Sequence, residues 1–273
     1  MSGLDRLRAA GVETPAHDAR RLLAHAAGLG SGRLTLCLGD EVGPDVEDRF
    51  AAAISARCAR QPVAQIIGQR LFFGRPFKVT SDVLDPRPET EILVLAALEE
   101  AVRRVLDLGT GSGCILATLL SERTSSLGTG VDVSEAALNV ARINCAALGV
   151  VDRAALFVSD WFDAVDGIFD LIVSNPPYVS EREYPRLSPD VRQWEPALAL
   201  TPGGDGLGPY HVIAAQAARF LEPDGRLIVE IAPWQGGAVS RLFEDAGLTA
   251  VRVRTDLDGR DRIVEARRSV PAE

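Results

Sequence analysis

The chain has 273 residues, 47% of them hydrophobic and 25% charged, with a formal net charge of −9. That length suits a large domain with a small companion; no window nears the roughly 18 apolar residues of a membrane helix, and the opening MSGLDRLRAAGVETP lacks a secretion signal's apolar core, so a cytoplasmic location is expected. Residues 1–75 hold ten Arg and eight acidic residues, whereas 76–273 hold nineteen basic and thirty acidic residues, so the longer part repels a phosphate backbone overall.

Up to about residue 62 the pattern is helical. His17 to Ala26 follows a Thr14-Pro15 start with Leu22 and Leu23 facing a core, and Val46 to Cys58 is Ala-rich with Phe50 and Ile54 four apart. Short helices of this kind predict a small bundle over residues 1–65. Ile66 to Val79 reads as two extended segments around Gly68 and Gly74, a hairpin linker within 66–82. It contains Lys78, the single lysine, which follows no glycine loop, so a P-loop nucleotidase is excluded.

Residues 83–273 alternate in the βα manner. Strands are expected at 104–108, 127–133, 154–158, 171–174 and 226–231, with helices at 114–121, 135–148 and 210–221 between them. Such alternation implies an α/β fold with a mostly parallel sheet covered by helices on both faces. The end differs: 248–253 and 262–267, joined by the turn-rich Asp256 to Asp261, predict an antiparallel pair at the sheet edge. Cys37, Cys58, Cys114 and Cys145 form no CxxC pair and His17, His25 and His211 no ligand spacing, so no metal is expected.

Three strand ends carry polar signals. After the first comes Gly109-Thr110-Gly111-Ser112-Gly113, glycines that turn a strand tightly into a helix and let a ligand approach backbone N–H groups. The second ends at Asp132, whose two oxygens can accept both hydroxyls of a ribose. The third is followed by Asp160-Trp161, an acceptor for an exocyclic amine beside a ring that can lie on a base. These residues resemble the Rossmann-like methyltransferases that use S-adenosylmethionine and release S-adenosylhomocysteine. An NAD-binding oxidoreductase shares the adenosine half and is the alternative from this loop alone.

The fourth strand stops at Asn175-Pro176-Pro177-Tyr178, since proline cannot continue a ladder. NPPY resembles the signature of methyltransferases acting on a planar NH2 group, whose delocalised lone pair makes it a poor nucleophile. The Asn175 side-chain oxygen and the Pro176 carbonyl can each accept one N–H, prolines keep those acceptors from relaxing, and Tyr178 offers a ring face. This motif leaves adenine, guanine and glutamine open.

Wider segments narrow the choice. Val83 to Glu91, Val191 to Pro196, Gly204 to Leu207 and Asp258 to Arg262 are similar to the HemK/PrmC family, methyltransferases of the glutamine in the Gly-Gly-Gln motif of peptide chain release factors. The resemblance implies a Rossmann-like catalytic domain, an N-terminal helical domain that helps engage the release factor, a substrate cleft lined by Arg87, Pro88, Glu89 and Thr90, and a monomer acting on a protein rather than on nucleic acid or a membrane. A ribosomal-protein glutamine methyltransferase and an N6-adenine methyltransferase are the rivals. The mild charge of residues 1–75, with no Arg-aromatic interleaving, disfavours the second.

Overall fold

The computed structural model describes residues 2–30, 33–37, 39 and 41–269 and divides into two units. The first contains residues up to Gln69 together with Leu187–Trp194, and the second holds Arg70–Arg186 and the chain from Glu195 onward.

Helices α1 (Gly3–Ala9), α2 (Pro15–Ala26), α3 (Pro44–Cys58) and α4 (Val63–Ile67) build the first unit. Their apolar faces meet at Leu7, Leu22, Ile54 and Val63, as the Leu and Phe/Ile spacing predicts. Ile66 and Ile67 belong to α4 rather than to an extended segment, and Gly68, with φ 80°, ends the helix. The hairpin therefore starts later, with β1 (Gln69–Phe72) and β2 (Arg75–Lys78).

In the second unit the hairpin leads to α5 (Glu91–Leu98), β3 (Arg104–Leu108), α6 (Cys114–Glu122), β4 (Leu127–Asp132), α7 (Glu135–Ala147), β5 (Ala154–Val158) and β6 (Phe169–Ser174). Helix α5 is absent from the sequence expectation because EILVLAAL is apolar all round and shows no period. Leu93, Val94, Ala96 and Ala97 are buried, and Arg226 closes the helix's last turn by donating to the Ala96 and Ala97 carbonyls at 3.0 and 2.8 Å. The short helix α8 (Pro189–Trp194) packs in the first unit: Arg57 joins Asp18 to Asp190 through two 2.7 Å bonds, and the Trp194 indole donates to the Ala59 carbonyl. Then come α9 (Ala197–Leu200), α10 (Gly208–Phe220), β7 (Leu221–Glu230), α11 (Gly236–Asp245), β8 (Leu248–Thr255) and β9 (Asp261–Arg268). Strand β7 begins five residues before the expected Arg226, because Glu222 to Gly225 loop out as a bulge that the pairing tolerates.

The seven strands run β5-β4-β3-β6-β7-β9-β8, parallel from β5 to β7, with β9 antiparallel to both neighbours. Strand side chains alternate between two cores. Val105, Leu171, Val173 and Ile228 face one, and Leu106, Ile172, Leu227 and Val229 face the other, so both sheet faces are covered. Strand β3 pairs with β4 on one side and β6 on the other. Chain order reverses there, and the crevice at such a point lies at the strands' carboxyl ends, where the glycine loop and NPPY sit.

Candidate active site

Leaving β3, Gly109, Gly111 and Gly113 all take positive φ. The loop is pinned to the neighbouring strand by Thr110 N–H donating to the Val131 carbonyl at 2.9 Å. Gly113 starts α6, and a Cβ on it would press on Ala141 of α7 at 3.1 Å, so glycine serves both the turn and the helix contact. Asn144 of α7 supports the loop from behind. Its Nδ2 donates to the Ser112 carbonyl at 2.8 Å, and its two side-chain ends bond the Lys78 backbone. Beneath lies Asp107, fully buried, accepting from Thr110 Oγ1 at 2.7 Å. Burial pushes its carboxyl up to about 7.

Asp132 accepts from Gly111 N–H on Oδ2 and from Ser134 N–H on Oδ1, both at 2.9 Å. Burial raises its pKa, and these N–H bonds oppose the rise. Each oxygen keeps a second acceptor site, so a diol can still bind in front of it. Beyond β5, the Ser159 hydroxyl donates to the Trp161 carbonyl and accepts from Ala164 N–H, which fixes the corner on which Asp160 is exposed and Trp161 half-buried.

The end of β6 is tied to that of β3 by Ser174 Oγ, which donates to the Leu108 carbonyl at 2.8 Å. Asn175 follows, its Nδ2 donating to Thr90 Oγ1 at 3.2 Å. Asn175 and Pro177 line the cavity, whereas Pro176 is buried and Tyr178 packs against the core that contains Phe169 and Ile172. The Tyr178 ring, expected to offer a face to the reacting group, is not among the residues that line this cavity. Gln235 Nε2 holds the corner from behind, donating to the carbonyls of Tyr178 at 3.2 Å and Gly206 at 3.4 Å.

Together these segments surround a cavity of about 480 Å³ within the second unit, a size suited to a cofactor. It brings together Gly109, Thr110, Gly111, Ser112, Asp132, Asp160, Trp161, Asn175 and Pro177; Gly113 stands behind the loop. From the segment before α5, Arg87 and Thr90 reach the wall, while Pro88 and Glu89 are exposed outside it. Pro196 to Val212 supplies an unforeseen apolar side that includes Leu198 and Pro209. Asn144 and Gln235 were missed as supports; nothing in their local sequence marks them, because each acts on a segment distant along the chain.

Among the described residues no cluster of three or more His, Cys, Asp or Glu could hold a metal, and no helix is long and apolar enough to cross a membrane. The cavity can hold an extended ligand by its hydroxyls at Asp132 and present an acceptor, Asn175, to a second molecule.

Known proteins bear on this geometry. Residues 2–68 match the PrmC N-terminal domain model, and residues 82–190 the methyltransferase small domain model. A release factor glutamine methyltransferase of Cereibacter sphaeroides is 57% identical over 266 residues, 97% of this chain and 96% of that protein. One from Rhodospirillum rubrum is 45% identical over 97% of this chain and 83% of its own length. A crystal structure of a methyltransferase from Pyrococcus furiosus, 17% identical, covers 82% of this chain and all of that one with a TM-score of 0.57, which shows a shared fold.

Proposed function

This chain belongs to the family of release factor glutamine methyltransferases, and we propose that it transfers a methyl group from S-adenosylmethionine to the side-chain amide nitrogen of the glutamine in the Gly-Gly-Gln motif of peptide chain release factors. S-adenosylhomocysteine is the other product, and the modification acts on translation termination.

The cavity fits the donor. The Asp132 carboxylate, anchored by two backbone N–H groups with acceptor capacity to spare, suits a ribose, while the glycine loop leaves open space where side chains would stand at Gly109 and Gly111. Gly109 to Gly113 would hold the methionine portion, and Asp160 and Trp161 the adenine side. Bound there, S-adenosylmethionine supplies a methyl group on a positively charged sulfur.

The rest falls to the chain's own residues. Asn175 Oδ1 and the Pro176 carbonyl accept the two N–H bonds of the glutamine amide, aiming its nitrogen and favouring a more tetrahedral, electron-rich form. The nitrogen releases its extra proton to solvent after the new N–C bond has made it strongly acidic, so the site needs acceptors rather than a strong base. Arg87 and Thr90 border the substrate, with Pro88, Glu89 and Tyr178 flanking them. The helices of the first unit engage the release factor, and the second unit carries the chemistry. We place the enzyme in the cytoplasm, where translation factors work, as a monomer without direct nucleic-acid or membrane contact, in keeping with the acidic balance of residues 76–273.

The observation that carries this reading is Asn175 in the cavity wall with its nitrogen already engaged by Thr90, leaving the oxygen for the substrate. Mass spectrometry of a release factor incubated with enzyme and S-adenosylmethionine tests it: the glutamine gains one methyl. Incorporation into a ribosomal protein or DNA instead, with the release factor unmodified, overturns it.

A further inference from the structure

The residues assigned to the donor follow β3, β4 and β5, and the acceptor Asn175 follows β6. In the strand order β5-β4-β3-β6-β7-β9-β8, the sheet edge from β7 onward therefore lies on the far side of Asn175 from the donor. Parallel pairing sets Ser174 opposite Val229, so Asn175 and Glu230 leave the sheet side by side. Four residues past Glu230 stands Trp234. Of the three tryptophans, Trp161 and Trp194 are half-buried, whereas Trp234 is 67% exposed.

This exposed indole does not sit on a loose loop. Pro233 fixes its own φ, and the turn Ala232-Pro233-Trp234-Gln235 is closed twice: Gln235 N–H donates to the Ala232 carbonyl and Ala232 N–H to Gln235 Oε1, both at 2.9 Å. Gln235 is buried, and its Nε2 is the donor that holds the Tyr178 carbonyl at 3.2 Å. One buried side chain thus ties the turn that presents Trp234 to the corner that presents Asn175.

A large ring held in water on a fixed turn gains apolar burial when a partner covers it, with little conformational entropy left to lose. The segment that must reach Asn175 is a glutamine preceded by two glycines. Lacking a Cβ, a glycine lets its peptide planes lie flat on an aromatic face, and backbone N–H groups can point at the ring. Two residues of extended chain span about 7 Å, against roughly 4.8 Å between neighbouring strands, so glycines beside a glutamine at the end of β6 can reach the end of β7. We propose that Trp234 is a docking platform for the release factor, its indole lying against the two glycines of the Gly-Gly-Gln motif. The proposal rests on the glutamine methyltransferase reading above.

Trp234→Ala and Trp234→Phe test this in the full-length enzyme, with calorimetry against S-adenosylmethionine as the check that each variant folds. Trp234→Ala is expected to raise KM for the release factor about 30-fold, the scale of a lost interface tryptophan. Its kcat and cofactor affinity should stay within about 3-fold of wild type, as for a contact made equally in the ground and transition states. Trp234→Phe keeps a ring face and should recover most of the loss. Each motif glycine of the release factor is then replaced in turn by alanine. For at least one of them, KM should rise about 10-fold with the wild-type enzyme and less than about 2-fold with Trp234→Ala, since residues in contact do not add. An unchanged KM in Trp234→Ala, a loss confined to kcat, weakened cofactor binding, or losses that add at both glycines overturns the platform. So does sedimentation showing that Trp234→Ala breaks up a dimer of the enzyme. A wild-type enzyme that leaves the release factor unmethylated overturns the underlying reading instead.

Discussion

One guanidinium nitrogen of Arg87 spans the whole carboxylate of Glu195: Nη2 lies 2.7 Å from Oε1 and 2.8 Å from Oε2. Arg87 stands in the cavity wall, and Glu195 is the first residue after the α8 segment. The Glu195 side chain is almost completely buried, so removing its partner strands a carboxylate away from water. Arg87→Ala is expected to cost about 3 kcal/mol of stability, the low end for a broken buried pair because Arg87 is itself partly exposed. Urea unfolding reads this as a lower midpoint, and adding Glu195→Gln should recover much of the loss. An unchanged midpoint for Arg87→Ala would mean the pair contributes nothing.

Asn175→Ala should lower turnover about 1000-fold, the scale of a lost transition-state hydrogen bond. Cofactor affinity should change little, because Asp132 and the glycine loop hold that ligand. Single-turnover methyl transfer beside equilibrium cofactor titration separates the two effects, and retained turnover would remove Asn175 from the chemistry. Asn175→Asp is expected to fail as well, since it adds a charge beside other carboxylates.

Gly206 has φ 83°, and a Cβ there would collide with the Tyr178 carbonyl oxygen, the atom Gln235 holds. Gly206→Ala must move the corner that carries Asn175. Expected are a loss of about 100-fold in kcat and of about 2 kcal/mol in stability from strain and overpacking. Full activity in this variant would show that the corner tolerates displacement.

Stability should fall as pH rises through neutrality. Burial pushes the carboxyls of Asp107, Glu195 and Glu230 up to about 7, well above their ordinary values near 4. Between about 4.5 and about 7 the folded state keeps protons that the unfolded chain has released, so their contribution is complete at the acid end and lost above about 7. Around Glu230 stand Arg262, Arg87, Glu89, Tyr178, Tyr210 and Cys114, and the two arginines limit the rise. Carboxylates with lowered pKa, such as Asp5, Glu99 and Asp256, act in the opposite sense, at lower pH. Urea unfolding at pH 5.5 and 7.5 should give the larger free energy at the lower pH, with Glu230→Gln narrowing the gap; the reverse order would refute the assignment.

Much of the site was legible in the sequence because its parts sit at strand ends, where a local signal and a sheet position coincide. Gly109 to Gly113, Asp132 and Asn175 each follow an apolar run, and the parallel sheet brings those ends together. Helix α5 was not legible, since after Glu91 it is apolar all round, with even the half-exposed Leu95 apolar, and so has no polar face to set a period. Tyr178 packs against the core that contains Phe169 and Ile172, a contact that the two prolines before it do not announce. The supports were hidden for a different reason. Asn144 and Gln235 act by hydrogen bonds to carbonyls dozens of residues away, at Ser112 and Tyr178, and sequence spacing does not encode them.

Because α8 packs with the first four helices, the polypeptide passes between the two units three times, near Gln69, Arg186 and Trp194. The helical unit is therefore not an appendage that a single cut can remove. A fragment beginning at Arg70 would carry α8 without its partners, leaving Asp190 without Arg57 and the Trp194 indole without the Ala59 carbonyl. Such a fragment would be a poor stand-in for the catalytic half, and an exchange of modules between relatives would have to transplant residues 187–194 together with the amino-terminal helices.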